Sequence, residues 1–133
     1  YYGFDDAFLG GARLLELLSK TKAPFSELYK DVPVTACTPE FKSPCPDDKK
    51  FAIVDQITQN LTKKYDCITL DGVRVNFDKL SWGAVRCSNT SPNLTLRFEA
   101  PTEARLKEII NLMLEELVKY PEIDLWWSAP YKN

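Results

Sequence analysis

Apolar and polar positions alternate through the second half of the chain. Val73, Val75 and Phe77 are separated by Arg74 and Asn76, and Leu94, Leu96 and Phe98 by Thr95 and Arg97. A period of two predicts half-buried strands over residues 73–77 and 94–99. Residues 67–70 and 82–87 read as two more strands, and residues 41–45 as an opening one. Two other stretches repeat every three or four residues. Phe51, Val54, Ile57, Leu61 and Tyr65 mark a helix started by Asp47 and Asp48, whose charge suits a helix N-terminus. Leu106, Ile109, Ile110, Met113 and Leu117 mark another over residues 102–119, stopped by Pro121. Asp71-Gly72 predicts a two-residue hairpin turn. The order strand, helix, four strands, helix implies an α+β fold: a four-stranded antiparallel sheet with helices on one face.

The first 34 residues follow a different pattern. Residues 5–19 read as a helix capped by Asp5 or Asp6. Between Ala7 and Ser19 only Arg13 and Glu16 are charged. A helix this apolar on most faces belongs inside a larger body. Residues 21–34 hold two prolines and a short amphipathic piece at 25–29, and read as a connector. The expected division is therefore residues 1–34, a terminal helix of a preceding domain plus linker, and residues 35–133, a second domain. The chain opens Tyr1-Tyr2 and not Met, which reads as a fragment.

Composition narrows the function classes. A chain of 133 residues, 44% hydrophobic and 27% charged, can bury one modest core. A net charge of −2 argues against nucleic acid as a partner. No apolar run approaches the ~20 residues of a membrane span. There is no histidine, which removes Ser-His-Asp and Cys-His catalysis. Cys37, Cys45, Cys67 and Cys87 lack Cys-x-x-Cys spacing, which argues against zinc. An even cysteine count and sequons at Asn60, Asn89 and Asn93 would permit a secreted, disulfide-bonded domain; buried free thiols suit a chain with its own core better. Asp71-Gly72-Val73-Arg74 reads as turn chemistry and not a metal loop, and Glu115, Glu116 and Glu122 as a solvated face.

One loop carries candidate chemistry. In Arg86-Cys87-Ser88-Asn89-Thr90-Ser91-Pro92 a guanidinium is followed closely by hydroxyls and an amide, between two strands. From Lys79 to Phe98 there are three basic residues and no Asp or Glu. An Arg fork with a nest of N–H and O–H donors suits an oxyanion held without a metal. The same residue types also make an ordinary polar turn.

This loop resembles the phosphate-binding loop of the α-D-phosphohexomutases, in the phosphomannomutase/phosphoglucomutase branch. Gly3-Phe4-Asp5-Asp6-Ala7, Ala12-Arg13-Leu14-Leu15-Glu16, Thr38-Pro39-Glu40, Lys50-Phe51-Ala52-Ile53-Val54, Leu70-Asp71-Gly72-Val73-Arg74-Val75 and Leu96-Arg97-Phe98-Glu99-Ala100 follow the family's order. Ser-Asn-Thr differs from the Ser-Gly-Thr of the phosphoglucosamine mutase branch. Cys87 and Ser91 depart from the family's more frequent residues; alternation turns Cys87 toward the core, away from Arg86. The resemblance implies the family's fourth domain, a TATA-binding-protein-like fold, preceded by the last helix of the third. It implies that Arg86, Ser88, Asn89 and Thr90 grip the non-transferred phosphate of a mannose or glucose 1- or 6-phosphate. The phosphoserine donor, the Mg²⁺ loop and the sugar-reading loop would lie in the parent's other three domains. The fragment alone is then expected to be inactive and to hold no cofactor, and the parent to be cytoplasmic. A stand-alone sugar-phosphate or anion-binding module is the alternative.

Overall fold

The computed structural model describes residues 3–131. The terminal pairs of the expected spans 1–34 and 35–133 lie outside the described residues. The described chain forms two compact units that divide between Pro33 and Val34.

In the first unit, helix α1 spans Ala7–Ser19. Asp6 caps it, its carboxylate accepting from Leu9 N–H at 2.9 Å. Glu16 pairs with both Arg13 and Lys20. None of the helix's residues is buried. Phe8 is 93% exposed and Leu15 68%. A single 3₁₀ segment, Phe25–Tyr29, follows.

The second unit is an antiparallel sheet with two helices on one face. Its elements are β1 (Ala36–Cys37), β2 (Phe41–Pro44), α2 (Lys50–Leu61), β3 (Asp66–Ile68), β4 (Val73–Asn76), β5 (Trp82–Cys87), β6 (Asn93–Ala100) and α3 (Glu103–Leu117). The order across the sheet is β1-β6-β5-β4-β3, with β2 also pairing β6. The expected four strands are therefore six segments. β1 and β2 lie along one edge of β6, opposite Ala100 and Glu99 and opposite Leu96 to Asn93 respectively. Pro39 lacks an N–H and interrupts this edge. Thr38 spans the break: its N–H donates to Phe98 O and its Oγ1 accepts from Phe98 N–H.

Alternation sorts the two faces as expected. Phe41, Val73, Val75, Val85, Cys87, Leu94, Leu96, Phe98 and Ala100 face α2 and α3 and are buried. Lys42, Arg74, Arg86 and Arg97 lie on the opposite face and are exposed. Thr102 caps α3, accepting from Arg105 N–H at 3.2 Å. All five core positions expected on α3 are buried.

Three local expectations are corrected. Phe51 is 54% exposed, and Ile53 takes its place beside Val54, Ile57 and Leu61 in the core. The last β3–β4 pair is Ile68 opposite Arg74, so the connection is wider than a two-residue hairpin. Glu116 is 3% exposed and not part of a solvated face: Asn60 and Tyr120 donate to its Oε1 and Lys119 to its Oε2. The segment after Tyr120 covers the outer edge of β2. Asp124 N–H donates to Pro44 O and Trp126 Nε1 to Lys42 O, while Trp127 stacks on Phe41 with ring centroids 4.6 Å apart. An edge strand left bare invites pairing with other chains, and this wrap removes the opportunity.

Candidate functional site

Antiparallel pairing of β5 and β6 sets Arg86 opposite Thr95 and Cys87 opposite Leu94. The ladder then closes through Ser88 N–H to Asn93 O at 2.9 Å. Residues 88–92 form the connection. Strand alternation sends the Arg86 side chain to the open face and Cys87 inward, where its thiol lies 3.4 Å from Lys50 O. Burial pushes the Cys87 and Cys45 thiols up. All four cysteines are free.

The loop is tied together by its own hydroxyls. Ser88 Oγ and Ser91 Oγ are 2.8 Å apart, and Asn93 Nδ2 donates to Ser91 Oγ at 2.9 Å. Thr90 N–H reaches Ser88 Oγ at 3.4 Å. Behind the loop, buried Lys50 donates to Ser88 O at 2.6 Å and Ser91 O at 3.0 Å. These main-chain carbonyls are thus used from the inside.

A pocket of about 180 Å³ opens in front of the loop, lined by Glu40, Lys42, Arg86, Ser88, Thr90, Ser91, Asn93 and Thr95. Register explains its shape. Lys42 pairs with Thr95 on β6, and Thr95 with Arg86 on β5, so two cations flank one buried threonine. The pocket therefore combines two positive side chains with several hydroxyls, the donor set of an oxyanion site. Glu40 is its one carboxylate.

Arg86 Nη1 lies 3.4 Å from Asp71 Oδ2, and both side chains are more than half exposed. Such a pair is worth about 0–1 kcal/mol, so a bound anion displaces it at little cost. Gly72 places Asp71 there. Its φ is +76°, and a Cβ would sit 2.2 Å from Val85 O and 2.8 Å from Arg86 Cα. The turn thus runs directly against the strand that carries Arg86.

Of the four residues expected to bind, Arg86, Ser88 and Thr90 line the pocket, while Asn89 is exposed and does not. Sequence reasoning missed Lys42, Thr95, Lys50 and the contact of Asp71 with Arg86. Alternation alone puts Lys42 on the open face; only strand pairing makes it a neighbour of the loop. A larger hollow of about 380 Å³ runs along α3, lined by Ala104, Lys107, Glu108, Asn111, Leu112 and Glu115. One lysine and two carboxylates on a single helix give it no converging donors. Among the described residues, no group of three or more Cys, Asp or Glu side chains could hold a metal, and no helix is long and apolar enough to cross a membrane.

Residues 40–116 match the family described as phosphoglucomutase/phosphomannomutase, C-terminal domain. A phosphomannomutase/phosphoglucomutase of Pseudomonas putida is 40% identical over 94% of this chain and 27% of its own length. A phosphoglucomutase of Neisseria meningitidis serogroup A is 36% identical over 95% of this chain, again 27% of its own length. The chain thus spans about a quarter of the curated relatives it matches. The crystal structure of a phosphoglucomutase/phosphomannomutase family protein from Burkholderia thailandensis superposes with a TM-score of 0.69 at 34% identity, covering 88% of this chain and 24% of that one. Family match, identity and fold agree: the chain belongs to the phosphoglucomutase/phosphomannomutase family, whose C-terminal domain it matches.

Proposed function

We propose that this chain serves a phosphomannomutase/phosphoglucomutase by gripping the non-transferred phosphate of a hexose phosphate, mannose or glucose 1- or 6-phosphate, while the other phosphoryl group passes between C1 and C6. The observation that carries this reading is the convergence of Arg86, Ser88 and Thr90 on one pocket of the open sheet face. Arg86 offers a bidentate fork, Ser88 and Thr90 offer hydroxyls, and Asn89 contributes through its backbone N–H. A grip on a remote phosphate orients the reacting end, so it serves catalysis without touching the chemistry.

The phosphoryl donor and the other three domains belong to the parent protein in this reading. Mg²⁺, expected for the parent, finds no fitting cluster among the described residues. Free, buried Cys45 and Cys87 favour a reducing compartment, and we place the parent in the cytoplasm. No nucleic-acid or membrane partner is proposed. The uncovered apolar side chains of α1 weigh against a stand-alone anion-binding module.

Arg86→Ala in the full-length parent tests the grip. A hydrogen bond involving a charged group contributes about 1.5–3 kcal/mol. The expected loss is therefore roughly tenfold to somewhat over a hundredfold in kcat/KM for hexose phosphates, with the fold intact. Wild-type kinetics for this variant would return the loop to an ordinary turn.

A further inference from the structure

Lys50 is the one buried lysine or arginine among the described residues, 3% exposed. Taking an ammonium out of water is costly unless each of its protons finds an acceptor. Here all three do. Nζ lies 2.5 Å from Asp47 Oδ1, 2.6 Å from Ser88 O and 3.0 Å from Ser91 O. Two of the three acceptors are main-chain carbonyls of the candidate anion loop, 38 and 41 residues away in sequence. Lys50 opens α2, which Ile53, Val54, Ile57 and Leu61 anchor in the core. The lysine thus fixes the loop to a helix anchored in the core.

Peptide geometry gives this tie a consequence. In a trans peptide the C=O of one residue and the N–H of the next point in opposite directions, and the described chain has no cis bond. With Ser88 C=O drawn inward to Lys50, the Asn89 N–H points away from the interior. It has no protein acceptor among the described residues. At Ser91 the next residue is Pro92, which has no N–H to lose by the same inward turn. Lys50 therefore takes up two of the loop's acceptors and leaves the Asn89 N–H free. Its ammonium is paired with the Asp47 carboxylate and does not line the pocket.

We propose that Lys50 is the positioning residue of the candidate anion loop: its buried ammonium holds the Ser88 and Ser91 carbonyls inward, so the Asn89 N–H faces outward before any ligand arrives. The ligand half of this inference rests on the phosphate-gripping reading above; the ordering half does not. Two measurements on this chain without ligand test the ordering. In the wild type, Lys50 Nζ should give slowly exchanging protons with through-hydrogen-bond couplings to the Ser88 and Ser91 carbonyl carbons. In Lys50→Met, order parameters at Ser88, Asn89 and Ser91 should fall from about 0.85 to below about 0.6, while Leu94, Leu96 and Phe98 stay rigid. Fast-exchanging Nζ protons without couplings would overturn the proposal even if the variant fails to fold. A loop in Lys50→Met as ordered as in wild type would overturn it as well.

In the full-length parent, Lys50→Met should raise KM for hexose phosphates roughly tenfold, with a smaller loss of kcat because the grip also orients the reacting end. Lys50→Arg should recover part of this. A purely structural lysine would instead lower kcat through loss of active protein with KM unchanged, and that result overturns the proposal. Arg86→Ala, run alongside, separates the two ideas. An impaired Arg86→Ala with a wild-type KM in Lys50→Met removes only the role of Lys50. A neutral Arg86→Ala removes the grip itself.

Discussion

Arg86 stands in a contact that a phosphate would have to replace. Its partner Asp71 is 3.4 Å away and mostly exposed, so the pair parks the guanidinium near the pocket without locking it. A point charge can occupy the same place but cannot make the two-pronged bond, so Arg86→Lys in the full-length parent should restore only part of the kcat/KM lost in Arg86→Ala. Full recovery would show that charge alone suffices. Gly72→Ala should be poorly tolerated. The residue has φ +76°, and a methyl group would collide with the backbone of Val85 and Arg86. Strain of this kind costs about 1–3 kcal/mol before the collision is relieved, and urea denaturation would measure it; a change below about 0.5 kcal/mol would contradict the geometry. Alternation was enough to read Cys87 as inward and Arg86 as outward. The contact of Asp71 with Arg86 was not legible, because a hairpin signal carries no information about which strand lies across from it.

At the scale of elements, α3 and the segment after it carry the more exacting tests. Burial pushes the Glu116 carboxyl up, yet hydrogen bonds from Lys119 and Asn60 outweigh it and hold the group below its usual value of 4.5. A folded pKa below the unfolded one means stability that is present above the unfolded value and lost as pH falls through the folded value. The chain should therefore lose stability below about pH 4.5, and Glu116→Gln should flatten that acid limb. Denaturant midpoints measured from pH 6 down to pH 3 would check this; identical acid limbs would exclude Glu116 as the cause. Trp127 is 3% exposed and donates from Nε1 to Ser43 Oγ at 2.7 Å. Trp127→Ala should cost about 3–5 kcal/mol, since it leaves a cavity over Phe41 and an unpaired buried hydroxyl. A loss under about 1 kcal/mol would mean that the wrap over β2 is incidental. Every apolar position that periodicity expected on α3 is buried, but it missed Leu114 and Glu116, the latter because a carboxylate reads as solvated until Asn60 arrives from another helix to pair with it.

For the whole molecule, two expectations follow from what the chain contains. Without the phosphoryl donor assigned to the parent's other domains, the purified chain should not interconvert mannose 1-phosphate and mannose 6-phosphate; measurable turnover would refute the division of labour. Phe8 and Leu15 leave apolar surface uncovered on α1. Sedimentation should therefore show concentration-dependent association that Phe8→Ser with Leu15→Ser reduces, and a strictly monomeric wild type would count against this. The sequence by itself determined the two core helices and the strands β2 to β6, the inward and outward faces of β4, β5 and β6, the helices on one face and the position of the candidate loop. These depend on local periodicity and on residues adjacent in the chain. Only the tertiary structure decided that the edge strand breaks at Pro39, that Lys42 joins Arg86 across Thr95, that Asp71 faces Arg86 and that Lys50 holds the loop from behind. Each of these is a meeting of residues distant in sequence, fixed by strand register and by burial, and neither quantity is written in local pattern.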